Sequence, residues 1–453
     1  MAPSEFEDIT PHVVMDFVDG LPFAYQRSVL RVDPDRVEET LAEIEAIVQR
    51  PASTLKSMQL QPRPDKGSGF LELAGPAGLD ARAVRETLLD QGLTAAVALD
   101  PVYFADEPDP TRQFGGLPAK EGHGTMRAGL LLVGLAPPPR SEAVPDAGRR
   151  PVVAVLDTPV REHPWLGDGE GDDPFWSDGR RVEEPWRPYI AVPEESSNGR
   201  LSHAGHGTFI AGLVRLLAPD ARVLSVPVMH GNGVVEEEHV LHALGWLRDR
   251  VTQAVDDGRP ELFVDVVNLS FGRYELEGRD LADTAQLREV LADLARRGVQ
   301  VVTSAGNRPV ETKVFPAAFD GLVSVGARDP DGTLAAYTST GGWVTVQAPG
   351  TSLVSALPKF DQAEWPQRDD LDASGLPMPP DPNFQASLVG QWSGTSFAAA
   401  WVSASIAAKL LEQATLDSLA DVSPEAAGAR ATSALEAVTG DLYRWVTSHA
   451  DAE

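Results

Sequence analysis

Two similar blocks of hydrophobic spacing open the chain. Residues 23–32 read as a strand, 34–49 carry apolar positions at helical spacing, and 55–61 read as a strand; 69–73, 80–91 and 93–104 then repeat strand, helix, strand. The order βαββαβ is the split-βαβ, ferredoxin-like pattern, and about 80 residues suffice for it to fold as a small unit. Turn formers dominate 105–124, an apolar run fills 130–135, and Pro137-Pro138-Pro139 leads through polar residues to Arg150. Such composition marks connecting chain rather than core.

From Pro151 the texture changes. Residues 152–156, 223–228, 264–269, 300–304, 322–325 and 344–347 are near-continuous β-branched or aliphatic runs, as expected of parallel strands covered on both faces. Helical patterns fall between several of them, at 206–217, 237–256 and 281–297. Alternating β and α predicts an α/β fold with a doubly wound, mainly parallel sheet, whose ligand crevice lies at the carboxyl ends of its strands. Three regions follow: an N-terminal domain over 1–104, a linker over 105–150, and an α/β domain over 151–453. The Ala-rich 424–450 reads as a helix packed onto the sheet.

Composition removes several chemistries. The chain of 453 residues contains no cysteine, which excludes disulfides, thiolate zinc sites and a cysteine nucleophile. Its 67 Asp and Glu against 38 Lys and Arg, a net charge of −29, argue against nucleic-acid and anionic-membrane partners, both of which need a basic surface. The first residues carry neither a basic segment nor an apolar one, and no apolar run reaches the roughly 18 residues of a membrane span. The expected location is the cytoplasm.

Three residues sit where the crevice is expected. Asp157 follows the buried run 152–156, His206 opens a helix within Gly205-His206-Gly207-Thr208, and Ser396 opens another within Ser393-Gly394-Thr395-Ser396-Phe397. A serine hydroxyl becomes nucleophilic when an imidazole takes its proton, and the imidazole needs a carboxylate to fix its tautomer and stabilise its cation. A helix start beneath Ser396 adds unpaired N–H groups where an oxyanion would develop, and Gly394 lets a substrate backbone approach.

The order Asp, His, Ser with these flanks resembles the subtilisin-like serine proteases, the subtilases, over about residues 151–411. The segments that carry it are Val155-Leu156-Asp157-Thr158, His206-Gly207-Thr208-Phe209-Ile210-Ala211-Gly212 and Gly394-Thr395-Ser396-Phe397-Ala398-Ala399. The resemblance implies a serine endopeptidase acting on peptide or protein substrates through an acyl-enzyme. It also implies that Asn307, in Ser304-Ala305-Gly306-Asn307, donates to the oxyanion. Asn268-Leu269-Ser270-Phe271-Gly272 is similar to the strand that pairs with an extended substrate, so Ser270, Phe271, Gly272, Ala305, Gly306, Gly394 and Thr395 are the expected substrate-binding residues. The family usually has Met after the serine and His after His-Gly-Thr; here these positions hold Phe397 and Phe209, and Ala400 replaces the usual proline. Many subtilases carry a ferredoxin-like prodomain that assists folding and then inhibits the enzyme. The N-terminal domain takes that role by resemblance, with self-cleavage expected within about 105–125. No cofactor is required, and no motif assigns ligands for a structural calcium of the kind some subtilases hold.

Simpler readings stand beside these. Each triad candidate alone is more often a cap or turn residue; their joint occurrence favours catalysis. Gly122-His123-Gly124-Thr125 imitates the motif around His206 but precedes the Asp motif and runs into an apolar strand-like segment, so His123 is read as coincidence. The pairs His203/His206 and His239/His242 lack the Glu of a His-Glu-x-x-His site and read as structural or surface histidines. Asp168, Glu170, Asp172 and Asp173 fail the EF-hand spacing and read as a solvated insertion. Residues 358–383 form either a rim loop of the cleft or a surface insertion. Two alternatives to the protease remain: a catalytically blocked subtilase-like scaffold that binds peptides or protein partners, and a metal-dependent hydrolase.

Overall fold

The computed structural model describes residues 13–18, 21–50, 55, 61–64, 70–74, 80–105, 128–129, 137–139, 149–166, 175–176, 203–231, 233–275, 285–358, 388–413 and 419–450. The chain forms two compact units. One comprises Met1–Tyr103 with the short stretches Glu236–Glu238 and Leu276–Gln286; the other holds the remainder.

The first unit contains β1 (Val13–Val18), β2 (Leu21–Val32), α1 (Val37–Val48), β3 (Gln61–Pro64), β4 (Phe70–Ala74), α2 (Ala81–Asp90) and most of β5 (Val97–Phe104). Its strands run antiparallel in the order β5-β2-β4-β3, and β1 folds back on β2 through the Val18–Leu21 pair. Helix α1 buries Thr40, Ile44 and Ile47, positions three and four apart on one face. Ile44 and Ile47 join Leu30, Leu71, Val84 and Leu88 in one hydrophobic core. Asp80 caps α2 by accepting from the Arg82 and Ala83 amides at 2.9 and 3.2 Å. The helix ends at Gly92, with φ of 88°, and the Leu93 amide donates back to Leu88 at 2.9 Å. That stop consumes the residues after 91, so β5 begins at Val97 rather than at 93. The third strand lies at 61–64 rather than 55–61; of the stretch 56–60, nothing lies within the described residues.

The remaining elements, in the second unit except where β10, α4 and α5 pass through the two short stretches, are in chain order β6 (Ala128–Gly129), β7 (Val152–Asp157), β8 (Phe175–Trp176), α3 (His206–Leu217), β9 (Arg222–Pro227), β10 (Val234–Glu236), α4 (Glu237–Asp256), β11 (Val266–Leu269) and β12 (Arg273–Tyr274). Then follow α5 (Ala285–Arg296), β13 (Gln300–Ser304), β14 (Val314–Phe315), β15 (Val323–Arg328), β16 (Val346–Pro349), β17 (Leu353–Ala356), β18 (Val389–Trp392), α6 (Thr395–Gln413) and α7 (Pro424–Ala450). Seven strands make a parallel sheet in the order β16-β15-β13-β11-β7-β9-β8. Every residue of β7 and β11 is buried, as both faces of the sheet are covered. The chain leaves β7 for β9 on one side and returns to β11 on the other, so the strand order reverses at β7, the doubly wound arrangement expected from the sequence. Its carboxyl end, Asp157, therefore marks the switch point where such sheets bind ligands.

Helix α6 runs against β11, β13, β15 and β16 and packs on α3. It is buried almost all round at its start, as a central helix must be. Helix α7 lies mainly on α6 rather than on the sheet. A small antiparallel sheet, β17-β18-β6, leads the chain into α6. The expected features at His123, 130–135, 168–173 and, apart from Pro358, 358–383 lie outside the described residues. Among the described residues no helix is long and apolar enough to cross a membrane.

Candidate active site

Asp157 ends β7 and is fully buried. The Thr158 amide donates to its Oδ1 at 2.7 Å. His206 begins α3 after Gly205, whose φ of 81° suits glycine and turns the chain sharply into the helix. The two side chains meet: His206 Nδ1 lies 2.9 Å from both Asp157 carboxylate oxygens. With Nδ1 on the carboxylate, the tautomer is fixed and Nε2 is left as the basic nitrogen.

Thr158 couples strand to helix. Its Oγ1 accepts from the Gly207 amide at 2.9 Å, and its carbonyl oxygen would lie 2.2 Å from a Cβ at Gly207. The Arg161 amide donates to Thr208 Oγ1 at 3.0 Å, a second stitch between the same segments. Sequence reasoning placed Thr158 in the Asp motif without a role.

Ser396 is the second residue of α6, among the positions whose amides have no intrahelical carbonyl. The Gly394 carbonyl accepts from the Phe397 and Ala398 amides, and the Gly394 amide donates to Gly350 at 2.9 Å, which anchors the turn. Ser396 Oγ donates to the Ser270 carbonyl at 3.3 Å, a long contact, and not to His206. A buried relay holds the end of β11 to α6: Ser403 Oγ donates to Asn268 Oδ1 at 3.0 Å, Asn268 Nδ2 to Ser270 Oγ at 2.8 Å, and Ser270 Oγ to the Ser396 carbonyl at 3.0 Å.

Asn307 is tied to the same helix start. Its Oδ1 accepts from the Thr395 amide at 2.8 Å and from Thr395 Oγ1 at 2.9 Å, while Thr395 Oγ1 accepts from the Gly306 amide at 3.1 Å. With both donors on Oδ1, the amide nitrogen is the end that faces Gly394, 3.7 Å from the place a Cβ would occupy there. Gly306 takes φ of 105°, which permits this turn, and the Ala305 amide is held by the Val325 carbonyl at 2.9 Å.

Ser270 and Phe271 lie between β11 and β12, and Gly272 forms an antiparallel bridge with Phe104. The Phe271 side chain is fully buried, so that residue offers only its main chain. At Gly272 the amide donates to the Phe104 carbonyl at 2.9 Å and the carbonyl accepts from the Phe104 amide at 3.0 Å. The Ala105 amide donates to the Gly233 carbonyl at 3.0 Å.

Aromatic rings close around the imidazole, which sequence reasoning did not foresee. The Trp392 ring lies 5.3 Å from that of His206, nearly perpendicular, and the Phe397 ring lies at 5.0 Å. Phe209 packs on Phe397 at 4.7 Å and on Trp392 at 5.7 Å. His203, buried, sits 5.8 Å from His206. Among the described residues His203, His206 and His242 belong to no group of three metal-ligating side chains.

The sequence profile of the subtilase family matches residues 148–434. A thermophilic serine proteinase of Bacillus sp. (strain AK1) is 30% identical over 34% of this chain and 36% of its own length. The minor extracellular protease Epr of Bacillus subtilis (strain 168) is 27% identical over 46% of this chain and 28% of its own. These matches thus span well under half of either relative. The crystal structure of fervidolysin from Fervidobacterium pennivorans, a keratinolytic enzyme related to subtilisin, shares the fold with a TM-score of 0.51 and 18% identity over 88% of this chain and 56% of that one. The match over 148–434 covers more than half of the sequence, and the chain belongs to the subtilase family.

Proposed function

We propose that the protein is a serine endopeptidase in which Ser396 is the nucleophile, His206 the general base and acid, and Asp157 the carboxylate that orients the imidazole. The observation that carries this reading is the buried His206–Asp157 pair at the switch point of the sheet, with Nδ1 2.9 Å from each oxygen. Rotation about χ1 of Ser396 exchanges its weak bond to Ser270 for one to His206 Nε2. The hydroxyl proton passes to that nitrogen as Oγ bonds to the scissile carbonyl carbon, and the carbonyl π pair moves onto oxygen. Asn307 Nδ2 and the Ser396 amide receive the oxyanion. As the intermediate collapses, the C–N bond breaks and His206 gives its proton to the leaving amine. Water, deprotonated by His206, then hydrolyses the acyl-enzyme.

An extended substrate would use the main chain of Gly272, the group that Phe104 now holds on both sides. This supports the N-terminal domain as an inhibitor whose continuation lies along the substrate strand. Its antiparallel strand order β5-β2-β4-β3, with helices after β2 and β4, supports a ferredoxin-like prodomain. The same occupancy favours a second reading, a permanently blocked scaffold that binds partners.

Intact-mass spectrometry of wild type beside Ser396→Ala, each exposed to a fluorophosphonate, separates them. Wild type that takes the probe and loses its N-terminal segment, beside an unlabelled and full-length variant, supports the protease. Wild type that is neither cut nor labelled supports the scaffold. Peptidase activity that survives Ser396→Ala and falls to a chelator would overturn both.

A further inference from the structure

The first unit is stitched together from the N-terminal 103 residues and two short stretches of later sequence, and the stitch contains a buried carboxylate that the proposed reaction does not use. Asp100, on β5, is fully buried; its Oδ2 accepts from Gln26 Nε2 at 2.7 Å, and among the described residues its Oδ1 has no hydrogen-bond partner. Arg31 on β2 is ion-paired with Glu237, and its Nη2 donates to Gln286 Oε1 at 2.8 Å. The other Glu237 oxygen accepts from the Tyr103 hydroxyl at 2.5 Å. Arg31, Tyr103 and Glu237 are all buried.

Among the described residues the charges facing Asp100 are Arg31 on β2 and Glu237 and Glu238 on α4. Three carboxylates thus share one guanidinium, and Arg31 is already committed to Glu237. Asp100, with one neutral donor and an orphaned oxygen, is the carboxyl best suited to hold a proton. Burial first, and then the two glutamates, push its pKa well above the usual carboxylate range, against the pull of Arg31 and Gln26.

We propose that Asp100 is a proton-operated catch: protonated, it leaves Arg31 to bind Glu237 and keeps β2 and β5 on the 236–238 stretch; ionised, it competes for Arg31 and loosens that stretch. The sign follows from linkage. A carboxyl whose folded pKa is raised above its unfolded value binds more protons when folded. The stitch is therefore firmest below about pH 4 and weakens about tenfold per pH unit as the pH rises toward the folded pKa, then levels off. Tyr103, which holds Glu237, immediately precedes Phe104, which holds Gly272. On the protease reading, on which this consequence alone rests, a rise in pH frees the substrate strand.

The test uses the full chain carrying Ser396→Ala and reads hydrogen-exchange protection factors of the β2 and β5 amides from about pH 5 to 9, so it needs no peptidase activity. Protection in this reference falls about tenfold per pH unit over part of the range. With Asp100→Asn added, it stays level. With Glu238→Gln, which removes a neighbouring negative charge, the fall levels off at lower pH. A level reference, or an equal fall in Asp100→Asn, overturns the proposal; if Asp100→Asn does not fold, an unmoved profile in Glu238→Gln does so.

Discussion

Gly207 packs its Cα against the carbonyl oxygen of Thr158, where an added Cβ would stand 2.2 Å from that oxygen. Because Thr158 also binds the Asp157 carboxylate through its amide and the Gly207 amide through Oγ1, one residue fixes the spacing of acid and base. Gly207→Ala forces the start of α3 away from the end of β7, and a displacement of about 1 Å in a catalytic group costs on the order of 10²-fold. The expected result is a fall of about that size in kcat/KM with Ser396 still slowly labelled by a fluorophosphonate. Activity within twofold of wild type would show that the Thr158 contact does not set the geometry.

On the proposed mechanism Asn307 has two tasks, one for each end of its amide, and they can be separated. Its oxygen anchors Thr395 at the helix start, and its nitrogen faces Gly394. Asn307→Asp keeps the anchor but removes the donor, so the thermal midpoint should hold while kcat drops about 10²–10³, the cost known for one oxyanion donor in subtilisin itself. Asn307→Ala removes both and should lower kcat and stability together. Equal stability losses in the two variants would argue against the anchoring role.

The parts legible in the sequence are those written in local pattern. Strands β7 and β11 are mainly apolar and wholly buried, β13 is buried beyond Gln300, and α3 and α4 match their expected bounds, 206–217 and 237–256. Strands β6, β17 and β18 are two to four residues long, too short for any period to register. The ring cluster was hidden for another reason: Phe209 lies on α3 with His206, but Trp392 on β18 and Phe397 on α6 approach the imidazole only through tertiary packing, and no spacing rule joins positions 206 and 392. The signal for Asp100 was available, a lone acid within the apolar stretch Val97–Phe104, but the Arg31 and Glu237 charges beside it are remote in sequence.

His163 gives the second unit its own acid sensitivity. Its Nε2 donates to the Leu388 carbonyl at 2.6 Å, just before β18, while Nδ1 accepts from the Trp165 amide at 3.1 Å. That pattern requires the neutral ring, and burial holds its pKa below the ordinary imidazole value in spite of the Leu388 bond. A histidine with a lowered folded pKa binds fewer protons folded than unfolded. Its contribution is therefore complete above about pH 6.5 and is lost as the pH falls toward the folded value. In a Ser396→Ala background, the urea midpoint should drop between pH 7 and 5 more steeply with His163 than with His163→Gln. Parallel profiles would remove His163 as the cause.

Phe209 and Phe397 replace the histidine and methionine usual in subtilases, and their rings touch at 4.7 Å beside His206. Both are fully buried, so truncation of either to alanine should cost about 3–5 kcal/mol. As a tilted aromatic pair, with ring planes 56° apart, they should also couple, with the double variant less damaged than the sum of the singles by about 0.5–1.5 kcal/mol. Urea unfolding of the four proteins in a Ser396→Ala background measures this. Strict additivity would mean that the rings fill adjacent volumes without acting together. Phe397→Met should cost less than about 1.5 kcal/mol, because the flexible thioether can fill most of the ring's volume. Its kcat in an otherwise wild-type chain then reads what the ring contributes to holding the imidazole, apart from the filling of space.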